Sequence, residues 1–303
     1  MPNWLKSLIS WLYNQPAHNT ERRNTGKQNK SEPCGSRNFE DKEIKIIGLT
    51  KSALGLAYDA YWSGLNLLKD VINLLVNDVS NCQDGHRKKY STAYLLLINR
   101  SIQHVESIRL LTERGLYGDS FVLIRSLMSD LSMMQYLHFH PELLDLFLSE
   151  KQEDYQANKK FKKAFSESAV ENDLVGRGVK PFGTAFQVLS KASHASSFGS
   201  QLYGSRGEGE GQYHLNYGPK FQPEKALMLM DLVASSHYDL VNNVLWHRYH
   251  SGEDIDMDDW NKVKKDLRDL RRRVKTLTEA AKETIKVLWP ELAKRMPNSQ
   301  HDE

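Results

Sequence analysis

Two arginine–histidine pairs are the residues of this chain best suited to do chemistry. The first is Arg125 with His194. Arg125 lies in YGDSFVLIRSLMSDLSMMQYLHFH, residues 117–140, a strongly apolar stretch. A guanidinium on an apolar helix needs an anion or several acceptors. Either it pairs with Asp130 or with a carboxylate on a neighbouring helix, such as Glu106, or it faces a polar pocket and binds an anion. His194 sits in SKASHASSFGS, four residues after Ser190 and just before a glycine-rich segment. Beside a buried arginine it is a candidate for proton transfer next to an anion-binding group. The second pair is Arg100 with His104 in NRSIQH, whose i, i+4 spacing puts both on one face of a helix. Other chemistries lack their residues. The sequence has no HExxH, no GxSxG, no GxxxxGK[ST], and no partner ligands for His247 and His250. No metal and no cofactor is expected.

The elements that must position these residues read as helices. Phe121, Ile124, Leu127, Met128, Leu131, Met134 and Leu137 follow the i, i+3, i+4, i+7 pattern, with further apolar residues off that face. Such a helix is packed on several sides. Arg125, Asp130 and Gln135 argue against a membrane span. Before it the spacing predicts a helix over 58–79 and another over about 89–114, with Gly115 as the stop and an antiparallel neighbour after it. After it the sequence predicts one helix from Glu142 to about Ser166, with Pro141 at its start, and a loop over 167–180. Residues 199–219 read as a long loop or hairpin, and 222–249 as helix again. Asp258 or Asp259 is placed to cap a last, highly charged helix. Its apolar seam is Val263, Leu267, Leu270, Val274, Leu277 and Ala281, a short heptad pattern. That seam can pack on the bundle or pair with a second chain as a homodimer. The run Arg271, Arg272, Arg273, Lys275 reads as a solvated face or an RNA contact.

The expected architecture is all-α: a multi-helix up-and-down bundle over residues 41–290 with a tethered N-terminal amphipathic helix. Residues 1–14 put Trp4, Leu5, Leu8, Trp11 and Leu12 on one helical face. This helix can pack back on its domain, dock on a protein partner, or touch a membrane surface through residues 4–12. Residues 15–40 hold almost no aliphatic side chains and read as a disordered linker; residues 291–303 form a tail. A net charge of +3 over 303 residues neither demands nor excludes nucleic acid. Two cysteines, Cys34 and Cys82, make no disulfide framework, and a cytoplasmic protein is expected.

The segment ERGLYGDSFVLIRSLMSDLSMMQYL, followed by FQVLSKASHASSFGS, resembles domain-of-unknown-function family number 5677. The resemblance spans roughly residues 50–250 and implies an all-helical protein with an R-S-L-x-E core followed by a serine and a histidine. Arg125, Ser190 and His194 fall on those positions, and Asp130 is one residue off the glutamate, where this chain has Ser129. A looser resemblance, through Arg100 and His104, is to the higher-eukaryote-and-prokaryote nucleotide-binding (HEPN) helical ribonucleases. Those separate arginine and histidine by four to six residues, whereas three intervene here. Two functions follow as expectations. One is a helical protein acting through a protein partner, with the family context suggesting a stress or phage response. The other is a metal-independent ribonuclease or nucleotide-binding enzyme using an Arg/His pair, with RNA as partner.

Overall fold

The computed structural model describes residues 36–149, 155–179, 204–206, 213–215, 220–250 and 257–288. The fold is all-α. Its helices are α1 (Ser36–Ala53), α2 (Gly55–Asn81), α3 (Gly85–Glu113) and α4 (Tyr117–Phe139), then a 3-10 turn (Pro141–Leu143) and α5 (Leu144–Phe147). There follow α6 (Tyr155–Ala164), α7 (Glu167–Gly176), α8 (Pro223–His250) and α9 (Met257–Leu288). Between α7 and α8 a two-stranded antiparallel hairpin pairs Gly204–Arg206 (β1) with Tyr213–Leu215 (β2), in the register Gly204 to Leu215. No described helix is long and apolar enough to cross a membrane.

Local chemistry sets the helix boundaries. Asp84 caps α3 by accepting from the amide of His86 at 2.9 Å. At the other end Gly115 takes φ +75°. Its amide donates to Thr112 O at 3.0 Å, and the amide of Leu116 donates to Leu111 O at 2.8 Å. These two bonds satisfy carbonyls the helix leaves orphaned. The turn is short, so α3 and α4 pack as antiparallel neighbours. Tyr94 donates to Met134 O at 3.1 Å and Tyr90 to Leu137 O at 2.7 Å, which fixes the two helices in register near the end of α4.

Helix α8 is packed on more sides than α4. It contacts α2, α3, α4 and α9, and Leu229, Met230, Val233, Leu240, Val241 and Val244 are fully buried along it. Asp231, His237 and Asn243 interrupt its apolar pattern, which is why the sequence gives α4 the stronger signal. The seam of α9 packs within the chain, against α2 and α8. Val263, Leu267, Leu270 and Leu277 are buried there and Val274 is half-buried.

Four sequence expectations differ from the structure. Helix α1 starts at Ser36, inside the segment read as linker. The helix expected from Glu142 to Ser166 is interrupted, since α5 ends at Phe147 and α6 starts at Tyr155. Residues 167–176 form α7 where a loop is predicted. Ser166 caps α7 by accepting from the amide of Ala169 at 3.3 Å, and Val170 and Leu174 bury one face of it. The glycines behind that loop reading, Gly176 and Gly178, end the helix instead of preventing it. Finally, α9 begins at Met257, so Asp258 and Asp259 lie in its first turn and not at the cap. The N-terminal helix and the tail lie outside the described residues.

Gly115 is held by more than its φ. A Cβ there would lie 2.5 Å from Lys220 O, on the chain entering α8. We expect Gly115→Ala to cost about 2 kcal/mol or more. Gly48→Ala, in open space on α1, should be neutral or gain up to about 1 kcal/mol. Urea unfolding midpoints of the two variants check this; equal midpoints would show the Gly115 contact to be unimportant.

Candidate functional site

Helices α3 and α4 bring Arg100, Ser101, His104 and Asp130 together. Asp130 is 2% exposed, inward on α4, and lies opposite one turn of α3. Ser101 donates to its Oδ2 at 3.2 Å. Arg100 Nε lies 3.3 Å from Oδ1, and His104 Nε2 lies 3.9 Å from Oδ2. The same Arg100 Nε–H donates to His104 Nε2 at 3.4 Å. The imidazole accepts that N–H, while the carboxylate lies beside the guanidinium as its ion-pair partner. The two terminal NH2 groups of Arg100 make no hydrogen bond among the described residues, and its side chain is 58% exposed.

The electrostatics follow from this burial. Desolvation pushes the Asp130 carboxyl up to about 6, against the opposing pull of Arg100 and the Ser101 hydroxyl. His104 is held below the ordinary histidine value by burial and then by the Arg100 charge. Near neutral pH the site thus holds a neutral imidazole, a guanidinium with a free fork, and a carboxylate beneath both.

Arg125 does something else. Its Nη2 donates to both oxygens of Glu167 on α7, at 2.8 and 2.7 Å. Its side chain is 26% exposed. The expected partners Asp130 and Glu106 are corrected by geometry. Five residues at 3.6 per turn place Asp130 about 140° around the helix from Arg125. Glu106 is taken by Tyr61 and by Arg109, whose Nε and Nη2 both reach it at 3.0 Å. The pairing with a carboxylate on a neighbouring helix holds, but that helix is α7, in the predicted loop. Ser190 and His194 lie outside the described residues, so the structure does not place them beside Arg125.

Two further polar clusters, around Arg109 and around Asp78, are not predicted from the sequence. Arg109 also donates to Glu113 at 2.5 Å, and Tyr58 donates to Glu113 at 2.7 Å, so this network ties α2 to α3. The pattern E-x2-R-x3-E on α3 was the available signal. Asp78 accepts from Arg87 at 2.6 Å and pairs with the buried Arg248 beside a cavity of about 10 Å³, room for one water. His247 meets His138 through their Nδ1 atoms at 2.8 Å, and burial lowers it to about 3. His247 is thus turned to another imidazole inside the bundle, and the side chain of His250 is outside the described set.

Residues 92–180 match a family of unknown function (DUF5677). The matched stretch holds Arg100, His104, Arg125, Asp130 and Glu167; Ser190 and His194 fall beyond it. It is narrower than the resemblance over residues 50–250. No curated protein and no solved structure matches the chain.

A carboxylate whose folded value is raised opposes folding when ionised. For Asp130 that penalty is absent below the unfolded value near 4 and complete above about 6. We expect Asp130→Asn to stabilise the protein at pH 7.5 by about 1–3 kcal/mol, with the gain vanishing by pH 4. Urea titrations of both proteins at the two pH values check it. A loss of stability at pH 7.5 would show instead that the ion pair outweighs desolvation.

Proposed function

We propose that Arg100 and His104 form a metal-independent RNA-cleaving site, organised by Asp130. The observation that carries this reading is the division of labour within Arg100. Its Nε is committed to Asp130 and His104, while its two terminal nitrogens are left for the oxygens of a phosphate. His104, neutral at physiological pH, accepts the proton of the ribose 2′-hydroxyl at Nε2 once the guanidinium turns toward the phosphate. The 2′-oxygen forms a bond to phosphorus, the bond from phosphorus to the 5′-oxygen breaks, and water protonates that leaving oxygen. The products are a 2′,3′-cyclic phosphate and a 5′-hydroxyl end. Asp130 keeps Arg100 beside His104 and balances its charge. The arginine–histidine spacing is one residue shorter than in the HEPN ribonucleases, yet on a helix it still puts both groups on one face.

A second reading, action through a protein partner, draws on Ile44, Leu49, Leu56 and Trp62, large apolar side chains exposed on α1 and α2.

The test is cleavage of a labelled single-stranded RNA in EDTA by the full chain. Cyclic-phosphate ends are expected, with His104→Ala at least about 100-fold slower. Activity should fall as pH drops through a range below that of an ordinary histidine, where His104, held low by burial and by Arg100, gains its proton. No cleavage by the wild type, or equal cleavage by His104→Ala, would overturn the reading and leave the protein-partner reading.

A further inference from the structure

The outer face of α9 carries an interaction surface that the site on α3 and α4 does not use. Between residues 261 and 275 there are eight lysines and arginines against only Asp266 and Asp269. They are not spread evenly. At 100° per residue, Lys265, Arg268, Arg271, Arg272 and Lys275 fall on one side of the helix, across from the buried seam. All five are exposed. The acids neutralise only one of these five. Asp269 pairs with Arg272, whose side chain stays 80% exposed, and Lys262, on the other flank, pairs with Asp70. Lys265, Arg268, Arg271 and Lys275 make no hydrogen bond or ion pair among the described residues. The side chains stand on a rigid helix fixed to the bundle by Val263, Leu267, Leu270 and Leu277.

We propose that this face of α9 binds the sugar–phosphate backbone of a nucleic-acid duplex, by charge and not by sequence. Four unpaired cations recurring about once per helical turn extend over about 15 Å. A row of that length can reach several phosphates of a duplex backbone. The surface chemistry separates this partner from two others. A helix that binds an anionic membrane inserts an apolar face between its basic flanks; here the apolar face is buried against α2 and α8. A single-strand platform stacks bases on aromatic side chains; from Lys264 to Lys275 there is no aromatic residue. The inference does not rest on RNA cleavage at His104, because binding is read separately from turnover.

The experiment is fluorescence anisotropy of the full chain with a labelled 20-base-pair duplex, in RNA and DNA forms, from 50 to 300 mM salt. The comparison is a variant carrying Lys265→Gln, Arg268→Gln, Arg271→Gln and Lys275→Gln, with its fold checked by circular dichroism and thermal melting. Exposed substitutions leave the bundle intact, so both proteins should melt alike. The wild type should bind both duplexes. The variant should bind at least tenfold more weakly at 100 mM salt, with its log–log salt slope shallower by about 3. Equal affinity and slope for the two proteins would overturn the proposal. So would absence of duplex binding by the wild type. Stripe-dependent binding to phosphatidylserine vesicles, or to polyglutamate as tightly as to duplex, would also overturn it and reassign the face to a membrane or an acidic protein.

Discussion

The arrangement of the site depends on one buried carboxylate. Asp130 sits in the α3–α4 interface at the cost of desolvation, and that cost is offset only by groups α3 presents to it. Ser101 satisfies one oxygen and Arg100 approaches the other. Because Arg100 donates its Nε–H to His104, the guanidinium and imidazole are kept in contact at a half-open surface. An apolar residue at 130 would pack at least as well. The same substitution would leave Arg100 free to leave His104.

The surrounding fold serves to hold α3 and α4 in one register. Tyr90 and Tyr94 donate from α3 to backbone carbonyls of α4, and the Gly115 turn locks the helix ends against the chain entering α8. Arg109 and its two glutamates tie α3 to α2 through Tyr58 and Tyr61. Helix α8 then fills the space between them, and α9 closes the bundle with its seam inward and its cations outward. Arg125 belongs to this scaffold: it anchors α7 through Glu167.

Much of the helical layout was legible in the sequence because apolar periodicity is a local signal. The helices over 55–81, 85–113, 117–139 and 223–250 are visible in their i, i+3, i+4 patterns. The Gly115 stop is equally legible, since its positive φ is one that glycine adopts freely. Helix α7 was not, because its two terminal glycines outweighed the cap at Ser166 and the short apolar pair Val170 and Leu174. The site was half legible. The spacing of Arg100 and His104 puts them on one face, but Asp130 is thirty residues from Arg100 in the chain, and only the packing of α3 on α4 joins them. The apolar setting of Arg125 did not reveal its partner, because Glu167 is 42 residues away on a helix that the sequence reads as a loop. The basic stripe of α9 required the burial of its seam to show which side remains open.

The central claim is that a neutral His104 accepts the Nε–H of Arg100 above Asp130. The most direct measurement is the titration of His104 followed by side-chain NMR in the wild type and in Arg100→Ala. Our account expects a wild-type value below the ordinary 6.5 and an upward shift when the guanidinium is removed, because burial and then Arg100 set it. A wild-type value at or above 6.5, unmoved by Arg100→Ala, would contradict it.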